Sequence, residues 1–146
     1  MHIRQAIREN IKTVLTGLTD TGDRVYVNRV YPLSQSNSNG ILIYTEDEQI
    51  SYLAMGSNRP QERQVSFKVE IYVKQKTAYD DKIDDISVEV EQALIADHTR
   101  GGYAVDTTIN NFTVDFNGDG DVTVAVGILD VMVKYHTRED SITTGA

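Results

Sequence analysis

The chain has 146 residues, 40% of them hydrophobic, with 14 basic against 22 acidic side chains and a formal net charge of -8. That is enough chain for one domain with a core of its own and too little for two. The scatter of the basic residues argues against sequence-specific nucleic-acid binding and anionic-membrane docking, and the lack of cysteine removes disulfides, thiolate catalysis and cysteine-ligated zinc.

The opening "MHIRQAIREN" alternates charge with isoleucine, and no apolar run reaches the roughly 18 residues of a membrane span, so neither a secretion signal nor a transmembrane helix is expected. Ile3, Ile7, Ile11, Val14, Leu15 and Leu18 recur at three- and four-residue steps, the stripe of an amphipathic helix, with Gly22 as its stop. "RVYVNRVYPL" (24–33) is β-branched and aromatic and reads as a strand ended by Pro32. "SQSNSNG" (34–40) is a loop, and "ILIYT" (41–45) a short buried strand.

Residues 46–62 mix charges with the apolar group Ile50, Tyr52, Leu53 and Met55 and the breakers Gly56 and Pro60, the pattern of a long loop or excursion. Tyr52 and Met55 suit either a small core under that loop or a contact patch. From Val65 to Val73 apolar residues alternate with Ser66, Lys68, Glu70 and Tyr72, a strand with one buried face. A second helix follows, with Ile83, Ile86, Val90, Ala93 and Leu94 on one face, Thr77 and Asp80 as a capping box, and Gly101–Gly102 beyond its end. Two β-rich runs then flank residues 116–120, and 138–146 is a polar tail after a single domain over 1–137. The expected fold class is α/β of the α+β type: a mainly antiparallel or mixed sheet with two packed helices, in the order α-β-β-β-α-β-β.

Chemical motifs are sparse. "DFNGDGD" (115–121) places Asp115, Asn117, Asp119 and Gly120 as the start of an EF-hand loop would, yet its flanks read as strands and the twelfth loop position is Val126 instead of a bidentate glutamate. The same residues favour a tight turn, and the turn is the expectation, with an adventitious metal left open. Asp80, Asp81, Asp84 and Asp85 form acidic pairs that suit a divalent-metal platform or, more simply, the positive end of a helix dipole. His2, His98 and His136 sit in no paired-ligand spacing, and no nucleophile elbow, P-loop or dinucleotide fingerprint occurs. "TRGG" (99–102) does not join a strand to a helix start and is no phosphate cradle. Catalytic, cofactor and metal residues are therefore expected to be none, with a small hydrolase the enzyme-class alternative.

The element series, from the N-terminal helix through "RVYVNRVYPL", "ILIYTEDE", "RQVSFKVEIYVK" and "DDKIDDISVEVEQAL" to a closing hairpin ending "AVGILDVMVKY", resembles the tail terminator proteins of long-tailed, non-contractile bacteriophages. The resemblance implies a structural virion protein that forms a ring, expected to be a hexamer, on the head-proximal end of the tail tube, made in the host cytoplasm. Such a ring stops tube polymerisation and meets a head-tail connector or neck protein, with DNA passing through it unread. A neck protein, such as a head-completion or stopper protein, is the alternative in that setting. Within the chain, the stranded apolar group Ile50, Tyr52, Leu53 and Met55 is the expected assembly interface.

Overall fold

Period-two and period-3.6 patterning sort the chain as expected. In the computed structural model, which describes residues 1–27, 39–74, 78–117 and 124–143, the order is α1 (Ile3–Leu15), β1 (Val25–Tyr26), β2 (Gly40–Tyr52), β3 (Pro60–Lys74), α2 (Tyr79–Ile95), β4 (Asp106–Asn117) and β5 (Val124–Arg138). The five strands form one mixed sheet in the order β1-β2-β3-β5-β4; β1 runs parallel to β2 and every other pair is antiparallel. The alternating strand Val65–Val73 thus lies within β3, at the middle of the sheet.

Both helices pack on the face made by the odd-numbered residues of β3 and β5. Val65, Phe67, Val69, Ile71 and Val73 pair with Val133, Val131, Leu129, Gly127 and Ala125. They meet Ile3, Ile7, Ile11 and Leu15 of α1 and Ile83, Ile86, Val90 and Leu94 of α2 in one core. Each such buried aliphatic or aromatic side chain contributes roughly 1.5–3 kcal/mol. At β5 the close approach of α2 needs a glycine. A Cβ on Gly127 would lie 2.7 Å from Ile83 Cγ2 and 3.1 Å from Phe112 Cε2. Gly127→Ala is therefore expected to cost about 1–3 kcal/mol by overpacking, read as a lowered melting temperature.

Four expectations change. Helix α1 stops at Leu15, earlier than Gly22, because Gly17 turns the backbone at φ 94. Leu18 falls outside it and is bridged to Gly22. The short strand at 41–45 and the excursion at 46–62 are one long hairpin: β2 and β3 stay paired out to Tyr52 and Gln61, so only 53–59 is a turn. The N-cap position of α2 is Ala78, in the left-handed region with no side-chain cap, while Thr77 lies outside the described residues. Most of the expected strand at 24–33, most of the 34–40 loop and the glycine turn at 118–121 also lie outside them; β4 and β5, the flanks of that turn, are strands paired out to Asn117 and Val124.

Two β-bulges set which side chains face the helices. In β2, Thr45 pairs with Phe67 and Asp47 with Ser66, so Glu46 is an extra residue. Before it Ile41, Ile43 and Thr45 face the helices; after it Glu48, Ile50 and Tyr52 do. In β4 the shift between Ile109 and Asn111 likewise hands the helix side from Thr107 and Ile109 to Phe112, Val114 and Phe116.

Candidate functional site

The helix-side face of the sheet is longer than the helices that cover it. Helix α1 begins at Ile3, over the middle of the β2–β3 hairpin, and beyond that point the inward positions of the hairpin turn polar. Glu48, on the post-bulge side of β2, accepts from Arg4 Nη1 at 2.6 Å and from Arg63 Nη1 at 2.8 Å through one oxygen, and from the Tyr135 hydroxyl at 2.5 Å through the other. Arg63 Nε also donates to Thr137 Oγ1 at 3.2 Å, and its Nη2 to Gln61 Oε1 at 3.0 Å. Glu48 and Arg63 keep side-chain exposures of only 7% and 10%. One carboxylate thus satisfies two guanidiniums and a phenol across α1, β2, β3 and β5. Burial and the nearby Glu48 carboxylate push the Tyr135 phenol up, so it remains a donor.

His2 completes this base by accepting from the Arg4 amide through Nδ1 at 3.0 Å, as the N-cap of α1. Burial, and next the Arg4 guanidinium, hold the imidazole below its ordinary value of 6.5. As pH falls through 6.5 the unfolded chain takes up this proton before the folded chain does, so stability present above that pH declines below it. His2→Asn is expected to keep the cap and remove that part of the pH slope, measured by melting between neutral and acid pH.

Past the clamp stands the tip. Ile50 and Tyr52 lie on the helix side, where neither α1 nor α2 reaches, and Leu53 and Met55 follow in the turn. Their exposures of 45%, 51%, 53% and 95% exclude a small core beneath a loop. The tip is shaped nonetheless: the Leu53 amide donates to Pro60 O at 2.9 Å, and the Arg59 guanidinium lies 4.1 Å above the centre of the Tyr52 ring. Arg59 also makes a two-point contact with Glu139, through Nε at 3.0 Å and Nη2 at 3.4 Å, tying the turn to the end of β5.

The other residues singled out by sequence go elsewhere. Asp80, Asp81, Asp84 and Asp85 are exposed on the first turns of α2, and among the described residues no group of three histidines or carboxylates is placed to hold a metal. His98 lies 3.3 Å from Asp106 at an exposed point and His136 3.4 Å from Glu62 at a separate, half-buried one. An open depression of about 190 Å³ between β3, β5 and β4 is lined by Gln64, Asp106, Thr108, Asn110, Met132 and Lys134. "TRGG" closes α2: Arg100, fully buried and at φ 51, donates through Nη2 to the carbonyls of Leu94 and Asp97. Asp97 accepts from the Thr99 hydroxyl and the Gly101 and Thr99 amides, which pull its pKa down to about 2.

Sequence reading missed two features. One is the clamp, whose members look like ordinary surface residues until the bulge at Glu46 turns Glu48 inward. The other is the edge strand β4, where Phe112, Val114 and Phe116 stand 39%, 42% and 56% exposed on the helix side. The alternation in "NNFTVDF" is the signal that identifies that strand's apolar face.

No protein-family model and no curated protein matches the chain. Among solved structures it is similar to a chain from the virion of a native gene transfer agent particle, with a TM-score of 0.36 and 10% identity over 91% of this chain and 92% of that one. A superposition that loose identifies neither a shared fold nor a shared role.

Proposed function

We propose that the protein is a structural subunit of a phage-type virion, and within that class a tail terminator: a ring former that caps the head-proximal end of a tail tube and offers a surface to the head. The observation that carries the reading is the hairpin tip, four exposed apolar side chains held out on an arm whose base is clamped by buried charge. A stable protein contact needs rigid apolar or aromatic anchors at its centre and polar margins around them. Ile50, Tyr52, Leu53 and Met55, bordered by Gln49, Ser51, Asn58 and Arg59, have that composition. The α+β element order agrees with the terminator resemblance, and the net charge of -8 suits a ring that lets DNA pass. On this reading the partners are other copies of the chain, the tube protein and a connector or neck protein.

Complementation tests it. Leu53→Asp and Met55→Asp chains, checked for wild-type melting, are supplied to a phage lacking the gene. A carboxylate there sits unpaired in a desolvated contact and costs that contact several kcal/mol, so overlong or headless tails are expected in the electron microscope. Tubes of normal length that fail only to join heads would favour a neck protein. Normal virions from both variants would remove the tip from the assembly.

A further inference from the structure

Apolar side chains left exposed are concentrated at two places. Among the described residues, nine of the thirteen exposed large hydrophobics belong either to the tip (Ile50, Tyr52, Leu53, Met55) or to β4 and its lead-in (Tyr103, Val105, Phe112, Val114, Phe116). The two lie toward opposite edges of the sheet, because β2 is next to the β1 edge and β4 is the far edge. A contact that closes a ring head to tail joins two different surfaces of the same chain. We infer that the hairpin tip of one copy docks on the β4 flank of the next.

Three properties of the flank select that occupant. First, residues 108 to 116 of β4 are exposed at every position except the half-buried Ile109, so β4 is an edge open to its surroundings. An edge with free backbone donors and acceptors is recognised by extended chain, and the β2 arm of the hairpin is extended up to Tyr52 and, among the described residues, has only β3 beside it past Leu42. Second, guards against pairing are few past the bulge: "DTTINNFTVDFN" has no lysine, arginine or proline, and from Asn111 to Asn117 the ladder runs without a further shift and with Asp115 as its one charge. Third, the charges are compatible. The tip segment 50–59 carries no acid, and its one cation, Arg59, is balanced by Glu139, whereas β4 carries Asp106 and Asp115, and α2, which packs against β4, carries six acids and one lysine, so the tip brings no uncompensated acid of its own to an acidic flank. Flank against flank would set acid against acid.

The inference deepens the ring reading and rests on it for taking the partner to be a second copy. The test uses the full chain and two kinds of variant, Leu53→Asp at the tip and Phe116→Asp on the flank, each first checked by melting and circular dichroism. Val114→Asp is the replacement should Phe116→Asp fail to fold, since Phe116 stacks near the Tyr79 ring at 5.1 Å between centroids. Native mass measurement should show wild-type oligomers and each variant alone as a monomer. The mixture is decisive: the tip variant keeps a sound flank and the flank variant a sound tip, so together they should give a one-to-one dimer and nothing larger. A flank variant that assembles like wild type, a mixture that yields no dimer, or a wild-type chain that stays monomeric at millimolar concentration would each overturn the inference. Failure of the terminator reading looks different: oligomers built through tip and flank that do not arrest tube growth leave the contact standing and remove the role, whereas normal tail arrest by flank variants does the reverse.

Discussion

Replacing Phe67 with alanine is expected to lower the free energy of unfolding by about 3–5 kcal/mol, seen as a lower denaturant midpoint at unchanged slope. Phe67 is fully buried on the helix side of β3, the middle strand, between Thr45 on β2 and Val131 on β5. Its removal takes the transfer energy of the ring and leaves a space that neighbours on both sides, held in ladder register, cannot collapse to fill. A domain of this kind has roughly 5–15 kcal/mol in total, so the variant stands near the limit of folding. The next residue is the control. The Ser66 hydroxyl faces the other side of the sheet and lies 3.7 Å from Met132 Sδ, so Ser66→Ala should cost far less. If the two variants melted alike, the faces of β3 would be misassigned.

That strand was legible in the sequence because burial there obeys a single period over many residues; the same holds for α1, where Ile3, Ile7, Ile11 and Leu15 are all buried, and for Ile83, Ile86, Val90 and Leu94 of α2. Reading failed where a physical rule is satisfied by partners distant in sequence. "EDEQ" (46–49) looks like solvent-exposed loop, yet Glu46 is the bulge and Glu48 a buried counter-ion whose partners lie 44, 15 and 87 residues away. Gln61, Arg63 and Thr137 occupy inward positions as polar residues because they satisfy one another, and a pattern search for apolar alternation passes over them. Ile50, Tyr52, Leu53 and Met55 were recognisable as a stranded apolar group. What singles them out physically, namely helix-side positions (Ile50, Tyr52) and the turn (Leu53, Met55) of a hairpin that outruns α1, depends on strand lengths that the bulge conceals. Phe112, Val114 and Phe116 alternate like any half-buried strand; that β4 is an edge follows only from the sheet order.

The largest electrostatic effect is expected at Glu48. Glu48→Gln keeps the size of the side chain and a carbonyl oxygen for the Tyr135 hydroxyl, and removes the charge that two guanidiniums share. Arg63 is then nearly enclosed with no carboxylate, and Arg4 is close by with the same sign. Removing one partner of a buried pair costs about 3–5 kcal/mol, more than the pair itself contributes, because the surviving charge has been taken out of water without compensation. Glu139→Gln, at the exposed pair with Arg59, should cost much less. The coupling is testable by a cycle: with Arg63→Met already present, Glu48→Gln should cost less than it does alone, since one of the orphaned cations is gone. The same variant bears on assembly. The clamp joins α1, β2, β3 and β5 at the root of the hairpin, so loosening it should raise amide exchange in 48–52 and 60–64 more than in the strands under α2. Oligomer formation should weaken although Ile50, Tyr52, Leu53 and Met55 are untouched, because a tip on a mobile arm loses more freedom when it docks. A Glu48→Gln chain that unfolds and exchanges like wild type would mean that the strand ladder alone holds the arm and that the buried charges do not set its direction.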